Sequence, residues 1–153
     1  MKRATPIDTI LIHCTATPAG REVTRRELDS WHRAEGFEPY VNEKTGEKTY
    51  AGYHILVHLD GSYERLRPDH ARGQHCRQSN MNNRGIGICY VGGNDINGKP
   101  CDTRTQAQRA TLLTLVRTMR ARYPHARILG HHDIPGVRKA CPSFDAKNEY
   151  KDI

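Results

Sequence analysis

No hydrophobic run in this chain approaches the ~20 residues that a helical membrane span requires. The first apolar patch, Ile10-Leu11-Ile12, is too short for a secretory signal core, and Asp8 stands in front of it. The expectation is therefore a protein made in the cytoplasm with no membrane anchor. The five cysteines (Cys14, Cys76, Cys89, Cys101 and Cys141) form no CxxC and no regular framework, and their odd number argues against a disulfide scaffold. Free thiols are expected in a reducing cytosol, at least one of them a candidate ligand. Internal repeats, low-complexity tracts and linkers are also missing, so residues 1–153 read as a single domain with chain enough for an ordinary core. The formal charge of +7 suits polyanionic surroundings such as nucleic acid, anionic lipid or an acidic wall polymer. Lysine and arginine are scattered rather than gathered into one tract, so no nucleic-acid partner is expected.

What is present alternates between strand-like and helix-like patterns. Ile7 to His13 reads as a buried strand. Thr24-Arg25-Arg26-Glu27 fits a capping box, and Leu28, Trp31 and Ala34 would form the inner face of the helix it starts, with Gly36 ending it. Tyr40 to Tyr50 reads as a hairpin or inserted loop, Tyr53 to His58 as a strand, and Asp60-Gly61 as a turn into a second strand over Ser62 to Leu66. Arg67 to Arg84 is a long polar loop of the kind that carries function. Gly85 to Val91 is a central strand whose glycines imply close approach of another backbone, and Gly92 to Asp102 is a loop. A second capping box, Thr105-Gln106-Ala107-Gln108, opens the longest helix, with Leu112, Leu115, Val116, Met119 and Tyr123 at helical spacing. Arg127 to Gly130 is a last short strand that delivers His131. This order predicts an α/β fold, a central mixed β-sheet flanked by helices.

Two histidines stand at strand exits, His13 and His131, and Cys141 follows on a turn-rich loop that can fold back to them. Two imidazoles and a thiolate suit zinc better than calcium or magnesium, and three ligands leave a fourth position for water. By spacing alone, the same residues read equally as ordinary polar groups at strand ends. Cys14 and Cys89 alternate away into the core, and His132 is read as non-ligating. His32, His54, His58, His70 and His125 read as structural or exposed.

The segments Ile12-His13-Cys14-Thr15-Ala16-Thr17, Gly52-Tyr53-His54 and Gly87-Ile88-Cys89-Tyr90-Val91-Gly92-Gly93 carry a resemblance, as do His131-His132-Asp133 and Lys139-Ala140-Cys141-Pro142-Ser143-Phe144-Asp145. Together they resemble the zinc-dependent N-acetylmuramoyl-L-alanine amidases, in particular the small phage lysozyme-type enzymes related to the peptidoglycan recognition proteins. The resemblance runs in order from Asp8 to Asp145; Glu38 to Tyr50 is longer than in the shortest phage members and is expected to alter one wall of the cleft. It implies that His13, His131 and Cys141 bind Zn2+, that Tyr53 and Lys139 serve the catalytic step, and that His75 touches the substrate, peptidoglycan. Lys139 would face the developing oxyanion, and Tyr53 would orient water or the carbonyl. Asp133 and Asp145 are candidates to accept the imidazoles' second N–H. No carboxylate stands out as general base, so proton transfer is expected through Tyr53, Lys139 or water. The expected protein is a monomer that acts on the wall after release. The competing readings are a peptidoglycan-binding module without activity, a cysteine hydrolase using Cys141 with His131 as base, and a nucleic-acid binder resting on charge.

Overall fold

In the computed structural model, which describes residues 1–153, the first apolar run becomes β1 (Thr9–Cys14), buried throughout. The chain continues through β2 (Thr17–Pro18), α1 (Arg25–Ala34), β3 (Tyr40–Val41), β4 (Lys48–Thr49), β5 (Ile55–Val57) and β6 (Tyr63–Arg65). Then come a 3-10 turn at Gln78–Asn80, α2 (Met81–Arg84), β7 (Gly85–Tyr90), β8 (Gly93–Asn94), α3 (Gln106–Arg122), β9 (Arg127–Gly130), a second 3-10 turn at His131–Asp133 and α4 (Ala146–Glu149). The main sheet has the order β6-β5-β7-β1-β9. Only the β5–β6 hairpin is antiparallel; β5, β7, β1 and β9 run parallel. This is the mixed, helix-flanked sheet expected from the element order, and burial on both faces explains why β1 and β7 read as near-continuous apolar runs.

Alternation along the strands divides the interior. Ile10, Ile12 and Cys14 join Ile86, Ile88, Tyr90 and Ile128 on the face covered by Leu112, Val116 and Met119 of α3 and by Ala146 of α4. Leu11, Leu56, Cys89 and Leu129 belong to two smaller clusters on the other face, under Leu28 of α1 and Met81 of α2. The helix α3 starts where its capping box says. Thr105 Oγ1 accepts from the Gln108 N–H at 3.0 Å, and Gln108 Oε1 accepts from the Thr105 N–H at 2.9 Å, an arrangement worth about 1 kcal/mol. Gln108 also donates to the Val91 carbonyl at 2.9 Å, tying the helix to the end of β7.

Four local expectations need correction. Trp31 and Ala34 are not on the inner face of α1: Trp31 is 38% exposed, and Leu28 and His32 are the buried residues. The reason is polar. His32 Nδ1 accepts the Gly52 N–H at 2.9 Å, which turns that ring inward and Trp31 out. The Arg67–Arg84 segment is not all loop, since it holds a 3-10 turn and α2. Within Gly92–Asp102, β8 pairs in parallel with β2. Of the two β7 glycines, Gly85 does face another backbone, a Cβ there falling 3.0 Å from the Met81 carbonyl, but the space beside Gly87 is filled by the ring of His75. The inserted stretch is a β3–β4 hairpin, and buried Arg67 pins its base through the carbonyls of Glu38 and Ala51, each at 2.9 Å.

Candidate active site

β1 and β9 lie side by side in parallel, with Ile12 opposite Gly130. The next residue of each strand is therefore a histidine leaving the same edge, and the rings of His13 and His131 stand 4.5 Å apart by centroid. Both are buried, at 1% and 7% exposure. Cys141 arrives on a loop fixed from several sides. Its carbonyl accepts the His132 N–H at 2.8 Å, the Tyr90 hydroxyl donates to the Pro142 carbonyl at 2.6 Å, and Ser143 Oγ donates to the Gly93 carbonyl at 2.8 Å. Gly130 permits this docking, because a Cβ there would fall 2.8 Å from Pro142 Cδ. The Cys14 N–H points at Cys141 Sγ from 3.2 Å.

The donor atoms of His13, His131 and Cys141 all lie within 4.8 Å of one another. Cys141 Sγ is 3.8 Å from His13 Nδ1. Tetrahedral zinc with bonds of ~2.0 Å to nitrogen and ~2.3 Å to sulfur separates its N and S ligands by ~3.6 Å. The spacing and the N, N, S donor set fit that ion. Electrostatics agree. Burial first, then the neighbouring His75, His131 and Lys139, hold His13 well below the usual imidazole range. Burial and Lys139 push His131 down to about 4. Both rings are thus neutral at pH 7, the form that ligates. The Cys141 thiol is pushed up by the adjacent Cys14 and by burial, so without a cation it stays protonated.

Against His131 and Cys141 lies a cavity of about 250 Å³ whose walls also include Trp31, Glu35, Phe37, Tyr53 and Lys139. Tyr53 stacks obliquely on His13 at 5.0 Å between centroids, and burial raises its phenol well above the ordinary value. A second trench of about 600 Å³ shares Glu35, Phe37, Gln74, His75, His131 and Lys139 and adds Arg77 and Arg138, so one carboxylate, Glu35, does border both spaces. No residue of Glu38–Tyr50 lines either space. A larger hollow, about 970 Å³ between Lys2, Arg65, Asp69 and Arg122, holds none of the candidate residues.

His75, 9% exposed, borders both spaces, with its Nδ1 3.0 Å from His13 Nε2. Asp133 and Asp145 do not support the imidazoles: Asp133 accepts the Gly130 N–H at 2.8 Å and Asp145 caps α4 at Asn148. His132 bonds the Ala140 carbonyl at 3.1 Å and stays outside the donor cluster. His54 is wholly buried, linking the Gly87 N–H and the Ala71 carbonyl at 3.0 Å each. Trp31, Glu35, Phe37, Arg77 and Arg138 are cleft walls that no motif in the sequence marks; the helical spacing of Trp31 points it inward instead.

A family model described as N-acetylmuramoyl-L-alanine amidase matches residues 3–144. The endolysin of Escherichia phage T7 is 36% identical over 146 residues, which is 95% of this chain and 87% of that protein. The endolysin of Enterobacteria phage T3 is 37% identical over 140 residues, covering 92% and 83%. Among solved structures, the amidase LysC from Clostridium intestinale URNW superposes with a TM-score of 0.70 at 24% identity, covering 97% of this chain and 89% of that one. Drosophila peptidoglycan recognition protein SA gives 0.69 at 17% identity, covering 100% and 82%. At these identities the solved structures speak to the fold alone.

Proposed function

The chain belongs to the N-acetylmuramoyl-L-alanine amidase family, hydrolases of the bond between N-acetylmuramic acid and the L-alanine of peptidoglycan, and we propose that it works through one zinc ion held by His13, His131 and Cys141. The observation that carries this reading is the convergence of those three donors to within 4.8 Å from strand ends and a distant loop. Zinc in such a site supplies a Lewis acid and brings the pKa of water to ~7.

The chain's own residues do the rest. Lys139 makes no ion pair and lines the cavity beside His131, so its charge is free to meet the oxyanion of the tetrahedral intermediate. The Tyr53 phenol, kept protonated by burial, donates a hydrogen bond to the carbonyl or orients the attacking water. Arg77 and Arg138, also outside any ion pair, line the adjoining trench and suit the carboxylates of a stem peptide. Trp31 and Phe37 supply apolar wall, as ligand clefts generally require. No helix is long and apolar enough to cross a membrane. In this reading the protein is a cytoplasmically made monomer that reaches the wall after release.

The test is elemental analysis of purified protein paired with product mapping on muropeptides. We expect one zinc per chain and free L-alanine amino termini. His13→Ala and Cys141→Ser should each lose metal and turnover. Wall binding without product would favour the non-catalytic module, and full activity after exhaustive chelation would refute the zinc reading.

A further inference from the structure

The mechanism above leaves His75 without a use, yet the fold goes to some length to hold it. It is 9% exposed, its Nδ1 lies 3.0 Å from His13 Nε2, and its own Nε2 is buried with no hydrogen-bond partner. Glycines make the room for its ring. A Cβ on Gly73 would fall 2.4 Å from His75 Cδ2, and one on Gly87 2.9 Å from the same atom. Its backbone is fixed too, because Asn82 Oδ1 accepts the N–H of His75 at 2.7 Å and of Cys76 at 2.8 Å.

We propose that His75 is a positioning residue, accepting the Nε2–H of His13 and so holding that ring in the tautomer and rotation that turn Nδ1 toward the metal. This rests on the zinc reading above. A neutral imidazole carries one proton. With that proton on His13 Nε2, the Nδ1 lone pair faces Cys141 Sγ at 3.8 Å and is free to ligate. The opposite tautomer would place a proton on Nδ1, in the position the metal needs. The acceptor is then His75 Nδ1, which puts the proton of His75 on its unpartnered Nε2. Ligating histidines usually pass their second N–H to a carboxylate, carbonyl or water. Here the partner is an imidazole, which fixes the ring without adding a negative charge.

The experiment compares wild type, His75→Phe and His75→Asn. Zinc affinity is read by competition with a chromophoric chelator, and ligand geometry by the visible spectrum of the cobalt(II)-substituted proteins. Long-range 1H–15N spectra of zinc-loaded wild type report the tautomers. His75→Phe should bind zinc ~10–100-fold more weakly and alter the cobalt bands. His75→Asn, whose carboxamide oxygen can stand in for Nδ1, should recover most of both. In wild type, His13 should be protonated at Nε2 and His75 bare at Nδ1. Unchanged zinc affinity and cobalt bands in His75→Phe, or a proton on His75 Nδ1 in the zinc-loaded wild type, would overturn the proposal. If His75→Phe does not fold, the wild-type tautomers decide alone. A wild type that binds no zinc overturns the zinc reading instead.

Discussion

Lys139→Met removes the one cation shared by the metal cavity and its trench while keeping most of the side-chain length. Lys139 is exposed and makes no ion pair, so folding stability should move by no more than ~0.5 kcal/mol. Its field reaches both proposed histidine ligands, since it contributes to the depressed pKa of His13 and of His131. A charge that repels protons from those rings also repels a dication between them. Removing it should therefore leave zinc affinity unchanged or slightly tighter. Turnover should move the other way. Loss of one oxyanion partner costs ~10²–10³ in kcat, or ~3–4 kcal/mol in the barrier, with KM little altered because the charge matters only once the oxyanion forms. Initial rates on solubilised muropeptides, with zinc measured on the same samples, give both quantities. Lys139→Arg should restore part of the rate. Turnover within twofold of wild type would refute the assignment, and loss of zinc would show that Lys139 instead shapes the ligand loop.

Two further outcomes concern what holds the site. Tyr90→Phe leaves the Pro142 carbonyl unpaired where the hydroxyl had donated at 2.6 Å; it should cost ~1–3 kcal/mol, several degrees of Tm by calorimetry, and weaken zinc binding, while an unchanged Tm would sink the idea. Burial pushes His54 down to about 3 and His32 down to about 4. Both therefore stay neutral in the fold while the unfolded chain protonates near ~6.5. Their contribution is complete above pH ~6.5 and is lost as pH falls toward the folded values, about 2 kcal/mol each between pH 6.5 and 5. Urea titrations of chelated protein at pH 7 and 5 should show the loss, and His54→Gln should reduce it; equal stability at the two pH values would contradict the reasoning.

The elements that stood out in the sequence are those whose cause is local. β1 follows from its apolar run, α3 from a capping box and the spacing of Leu112, Val116 and Met119, and the β3–β4 hairpin from the polar Lys44-Thr45-Gly46-Glu47 stretch. Where long-range contacts decide, the pattern misleads. Trp31 has the right spacing for an inner face, but a hydrogen bond from Gly52 to His32 sets the rotation of α1. The two-residue ladder of β2 with β8 leaves no periodicity to read. At the site, the convergence of His13, His131 and Cys141 was legible because strand exits and the Lys139–Asp145 motif marked them. The contact of His75 with His13 spans 62 residues, and its trace was the glycines that make room for a ring.

The position of the centre follows from topology, its chemistry from side chains. Ligands gather beyond the carboxyl ends of parallel strands, where the chain leaves the sheet and its side chains are free to converge. Adjacent strands can place two imidazoles there at fixed spacing. A third strand offers Cys89, paired in register with His13, but that thiol is sunk in an apolar cluster and its pKa is raised well above the ordinary value by burial. Taking the sulfur from a loop instead lets it close to 3.8 Å of His13 Nδ1. It also puts the proposed ligand and the proposed catalytic cation two residues apart on one segment, so whatever orders that loop orders both. Loosening it through Tyr90→Phe should lower zinc affinity and turnover together, whereas Lys139→Met should lower turnover alone. That contrast separates the segment's two tasks, and if the two variants share one kinetic profile, Lys139 has no role of its own beyond holding the sulfur in place.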